Sequence, residues 1–176
     1  MSENVLADEV NSPSIPLPRA VHAIGLSGLA VGTLDGIAAC INAATRGVMP
    51  DRVFKYIASA LLGREAANVG GFEVVLLGVL MHYGVAFGVA TAFYVVVSRL
   101  PALLRYPLIV GPIYGVVVYF MMAYAIVPLT RVVQGPFNLS GMIVMIIIHM
   151  VCVGSPPALI TAYLARRSAP SNEDSH

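Results

Sequence analysis

AVHAIGLSGLAVGTLDGIAACINAATR (Ala20–Arg46) is an apolar run whose first basic residue is the closing Arg46, preceded by Arg19 just outside it. Residues 21–45 form a helix of about 37 Å at a rise of ~1.5 Å per residue, which exceeds the ~30 Å hydrocarbon core of a bilayer. Three further runs of the same kind follow, at 74–98, 106–130 and 141–165. No Lys or Arg lies inside any of the four. Arg64, Arg99, Arg105, Arg131, Arg166 and Arg167 stand in the linkers and flanks, where the ends of membrane spans belong. The expected fold is therefore all-α: a polytopic four-transmembrane-helix bundle over residues 20–167.

Composition agrees. Of 176 residues, 58% are hydrophobic and 11% charged, more apolar surface than a soluble domain of this size can hide. The net charge of +1 offers no basic field for nucleic acid and no acidic tract for cations. Cys40 and Cys152 both lie in apolar runs and read as small buried hydrophobes. Residues 1–19 hold Glu3, Asp8 and Glu9, no basic residue before Arg19, and Pro13, Pro16 and Pro18. They read as a disordered tail, not a cleavable signal. Residues 168–176 read as a second polar tail. An even number of spans puts both ends on one side. Arg19, Arg99, Arg105, Arg166 and Arg167 then oppose Arg46, Arg52, Lys55, Arg64 and Arg131, so the basic residues tie five to five; both termini are expected on the cytoplasmic side.

The linker from Arg46 to Gly71 carries PDRVFKYIASALLG (50–63), with Pro50 and Asp51 suited to start a helix and Gly63 to stop one. Val53, Phe54, Ile57, Ala58, Leu61 and Leu62 form one stripe, and Asp51, Arg52, Lys55 and Ser59 the other face. Such a helix lies in the plane of the interface, as an anchor or as a lid over the bundle. Within the spans, Gly28, Gly32 and Gly36 recur at intervals of four, as do Gly84 with Gly88 and Gly111 with Gly115. These are helix-packing ridges, and the one left least covered is a route to self-association. The first span is also the most polar, with Ser27, Thr33, Asp35 and Asn42, which places it at the centre.

Three ionisable residues fall in mid-span: Asp35, His82 and His149. Counted from the membrane face that carries the 46–72 linker, they lie about 15, 14 and 12 Å deep. Tyr119, Met121 and Met122 of the third span share that layer. Pro156, seven residues past His149, and Pro157 deprive the carbonyls of Cys152 and Val153 of helical partners, and Pro112 and Pro128 bend the third span in the same way. Four readings of this layer are open. The first is a hydrogen-bonded cluster fixing helix register in an accessory subunit that binds other membrane proteins or itself. The second is a b-type haem held between His82 and His149 as axial ligands. The third is a proton or ion path through Asp35 and the histidines. The fourth, a membrane enzyme, needs a nucleophile with its base or a metal triad, and the polar residues elsewhere are scattered singly. Asn138-Leu139-Ser140 fits a glycosylation acceptor by spacing alone and carries no weight.

GTLDGIAAC (32–40), PDRVFKYIASALLG (50–63), LMHYGVAFG (80–88) and IIHMVCVGS (147–155), taken together, resemble a group of small four-span bacterial inner-membrane proteins to which no activity is attached. The resemblance covers roughly residues 25–165. It implies a bacterial inner-membrane location and nothing about mechanism.

Overall fold

A computed structural model describes residues 18–168; both proposed tails, apart from Pro18, Arg19 and Ser168, lie outside them. In chain order the helices are α1 (Ala20–Ala44), α2 (Pro50–Leu62), α3 (Arg64–Val69), α4 (Phe72–Arg99), α5 (Pro107–Met121), α6 (Leu139–Ile148) and α7 (Ser155–Arg167). A 3₁₀ turn at Pro101–Arg105 joins α4 to α5. The third span continues α5 through a π-helical turn, Met122–Ile126, and a 3₁₀ turn, Val127–Leu129. The fourth span is α6 and α7 joined by a π-helical turn, His149–Gly154. No strand occurs among the described residues. Four helical stretches are long and apolar enough to cross a membrane: Ala20–Ala44, Phe72–Arg99, Pro107–Leu129 and Leu139–Arg167. They match the four runs of the sequence.

The breaks in regular helix have proline causes. Pro128 has no N–H and crowds the preceding turn, which widens into the π register. The amide of Gln134 folds back to donate to the Ala123 carbonyl at 3.5 Å. Pro156 and Pro157 occupy the start of α7, where a missing N–H costs least, and the π turn ends just ahead of them. There the Ser155 hydroxyl donates to the Met150 carbonyl at 2.7 Å. Pro112 differs, because α5 runs through it as regular α-helix. In the linker, Pro50 opens α2, Asp51 sits in its first turn, and Gly63 stops it at φ 85° and ψ 161°.

The first span packs on α4 and on the whole second half of the fourth span, and the third span packs on the fourth. Tyr114 closes the ring by donating its hydroxyl to the Val89 carbonyl at 2.7 Å, with its ring edge-on to Phe93. One apolar cluster, Phe93, Val97, Leu104, Ala158, Ala162 and Ala165, fills the end nearest the termini. A second, Val31, Ala86, Val89, Val118 and Val153, draws on all four spans at mid-depth. A third, Ala58, Ala67 and Val74, fastens α2 and α3 to α4.

Glycine contacts show what each ridge does. Side chains of Phe87, Tyr83 and His82 occupy the space that a Cβ on Gly28, Gly32 and Gly36 would need, so this ridge accepts rings instead of a backbone. Gly111 and Gly115 do meet backbone, at Ser155 and His149 of the fourth span. Gly84 and Gly88 have nothing within 4 Å, so this third ridge packs against nothing in the chain. The first span is not surrounded either: Leu26, Leu29, Leu34, Ile37 and Ile41 point outward. Gly28, Gly32, Gly36 and Ser27 face the bundle while these large apolar residues face outward, so one face of the helix is buried and the other is not.

Candidate functional site: a polar layer beneath a basic cavity

The mid-depth apolar cluster fixes the register of the polar residues. Asp35 lies four residues past Val31, His82 four before Ala86, Met122 four past Val118 and His149 four before Val153, so each is one helical turn from that cluster toward the 46–72 linker.

Its members have different partners. His82 donates from Nε2 to the Gly32 carbonyl at 2.8 Å, across to α1, with its ring edge-on to Phe54 of α2 and to Tyr83. Gly36 leaves the room it needs. At the next residue of each helix, Thr33 and Tyr83 share a hydroxyl hydrogen bond of 3.0 Å, so α1 and α4 are tied twice. His149 instead donates from Nδ1 to the Met145 carbonyl of its own helix at 2.9 Å, and its ring lies edge-on to Tyr119 with centroids 5.4 Å apart. His82 spends its Nε2 on the α1 backbone, while His149 turns to the third span. Asp35 lies half-buried on the first span. Its Oδ1 is shielded and accepts no hydrogen bond from the protein.

The larger feature lies one turn nearer the membrane surface and was not read from the sequence. A cavity of about 650 Å³ opens where the end of α1, helices α2 and α3, the 133–135 loop and α6 converge. Arg46, Arg52, Lys55 and Arg64 line it, and no carboxylate does; Asp51 and Glu65, adjacent in sequence to two of them, are outside its wall. Ala39, Ala43 and Met145 form its apolar floor. The Arg131 N–H donates to the Ala60 carbonyl at 3.1 Å, anchoring the loop onto α2. Asn42 projects into the floor, and its side-chain amide has a single partner, the Met145 sulfur at 3.6 Å, a weak acceptor. Half-exposed Tyr56 is on the wall, and partial burial pushes its phenol above the ordinary value of 10.0, so it serves as a neutral hydroxyl.

Part of the polar stripe of α2 roofs the cavity: Ser59 is buried at 5% exposure with its hydroxyl donating to the Tyr56 carbonyl at 2.6 Å, and Lys55 is half-buried, while Phe54 and Ala58 of the apolar stripe pack on α4. A sequence signal existed: four basic residues between 46 and 64 against a single acidic one, Asp51, all beside a single span end. No known protein family, curated protein or solved structure matches the chain.

Proposed function

We propose that this protein is a non-catalytic subunit of a bacterial inner membrane that works by assembly, pairing with a second copy of itself through the outer face of α4. One observation carries the reading. Gly84 and Gly88 present a small-residue ridge with nothing within 4 Å, continued by exposed Ala92, whereas Gly28, Gly32, Gly36, Gly78, Gly111 and Gly115 are all filled by neighbours. In lipid, apolar burial alone contributes little to association, and close backbone approach at such ridges is the chief substitute. A glycine pair also weakens a helix that keeps it exposed without use. Isologous pairing places the same ridge on both partners, as a two-fold requires. The polar layer supports the same role, since His82, Thr33 and Tyr83 serve contacts between spans.

Cross-linking in native membranes tests it. The wild-type chain should trap as a dimer, and a Gly84→Leu, Gly88→Leu double variant should remain monomeric with its helix content intact, because neither leucine meets an internal neighbour. A monomeric wild type, or a dimer indifferent to both leucines, overturns the reading.

A further inference from the structure

We propose that the cavity beneath α2 is a binding site for the phosphate-bearing headgroup of an anionic membrane lipid. Arg46 from the turn after α1, Arg52 and Lys55 from α2 and Arg64 from the start of α3 converge on it with no carboxylate in the wall. Four cations around the rim and wall of one recess generate a local positive potential that an anion relieves. Three of the four are arginines, whose planar fork matches phosphate oxygens two at a time. Asn42 adds an amide donor that the protein leaves with only a sulfur acceptor, and Tyr56 a neutral hydroxyl. The volume of about 650 Å³ lies within the ~300–1,000 Å³ usual for small-molecule sites.

Placement selects a lipid over a free phosphate. The cations lie in the linker that follows the first span, just past α1, along α2 and at the start of α3, while Ala39 on the floor lies seven residues inside Arg46, about 10 Å deeper. An inorganic anion has no use for an apolar floor at that depth. A lipid does, since its glycerol and first methylenes lie just there. One wall is α6, a helix with no buried residue, so acyl chains have a side through which to leave toward the bilayer. The net negative charge of the headgroup matters as much as its phosphate: a choline headgroup carries its own ammonium and gains nothing from four cations.

Purified full-length protein in a mild non-ionic detergent is titrated with dihexanoyl-phosphatidylglycerol, dihexanoyl-phosphatidylcholine and sodium phosphate, reading the melting temperature. Phosphatidylglycerol should raise it saturably, and the other two should not. Arg46→Gln, Arg52→Gln and Arg64→Gln, all at exposed rim positions, should keep the unliganded melting behaviour and each weaken binding roughly fivefold. Ala39→Leu keeps every charge and narrows the floor, so it should weaken the lipid alone. No shift with phosphatidylglycerol, an equal shift with phosphatidylcholine, or a shift undiminished in the triple glutamine variant overturns the proposal. An equal shift with sodium phosphate overturns the lipid assignment in favour of a soluble phosphoryl ligand.

Discussion

Gly115 and Gly84 are the same residue in similar sequence settings, each opening or closing a glycine pair, yet they have opposite surroundings. A Cβ on Gly115 would run into the His149 carbonyl and the Met150 backbone, neither of which can turn aside as a side-chain tip can. On Gly84 it would meet nothing within 4 Å. Alanine at the first position overpacks a helix contact, at a cost of about 1–3 kcal/mol. At the second it removes only the conformational freedom that glycine gives the unfolded helix, a gain of about 0.5–1 kcal/mol. Gly115→Ala should therefore lower the melting temperature of the detergent-purified monomer and Gly84→Ala hold or raise it, measured side by side. Equal destabilisation by both would mean that α4 does not present its ridge outward. Spacing in the sequence distinguishes neither case, because a four-residue repeat names a face and leaves its neighbour unnamed. The histidines repeat the lesson: depth placed His82 and His149 in one layer, but rotation about each helix sent one ring to α1 and the other to Tyr119.

Among the elements, those with strong chemical punctuation were legible. Uninterrupted apolar runs between arginines marked the four spans to within about two residues, and Pro50 with Gly63 bounded α2. The six-residue α3 was not legible, since REAANV is too short to display a period. Its existence follows from Gly63, which holds φ 85° and ψ 161°, a region of backbone space that only glycine occupies without strain. That corner turns α3 away from α2, so Ala58 of one and Ala67 of the other bury against Val74, and Arg64 is brought to the cavity wall. Gly63→Ala should cost about 1–3 kcal/mol of stability, seen as a lower melting temperature. It should also weaken phosphatidylglycerol binding beyond what Arg64→Gln does alone, because the whole corner shifts. An alanine variant that melts like the wild type would show that the corner is set by packing and not by the glycine.

Across the whole molecule the packing is uneven, and the unevenness has a direction. The half nearest the termini carries the Phe93, Val97 and Leu104 cluster, with Ala158, Ala162 and Ala165 of α7 each no more than 3% exposed. Toward the linker, α6 and the Met122–Ile126 turn bury no residue, and the third span meets Pro128 and leaves regular helix there. Few buried contacts mean a low local opening free energy, so the two halves of the fourth span should differ although they are one span. In detergent-solubilised protein, amides of Leu139–Ile148 should exchange with deuterium at least about tenfold faster than those of Ala158–Ala165, a gap of ~1.4 kcal/mol in opening free energy. The soft half is also the half that holds the cavity, with Met145 of α6 in its floor and α2 as its roof. A ligand that bridges floor and roof stabilises the closed arrangement by mass action and adds nothing to a region that is already closed. Saturation with dihexanoyl-phosphatidylglycerol should accordingly slow exchange in Pro50–Leu62 and Leu139–Ile148 while leaving Ala158–Ala165 unchanged. Uniform protection along the fourth span without lipid would contradict the softness itself. Protection spread evenly over the bundle on adding lipid would mean that the lipid acts as a general solvent, not as an occupant of one site.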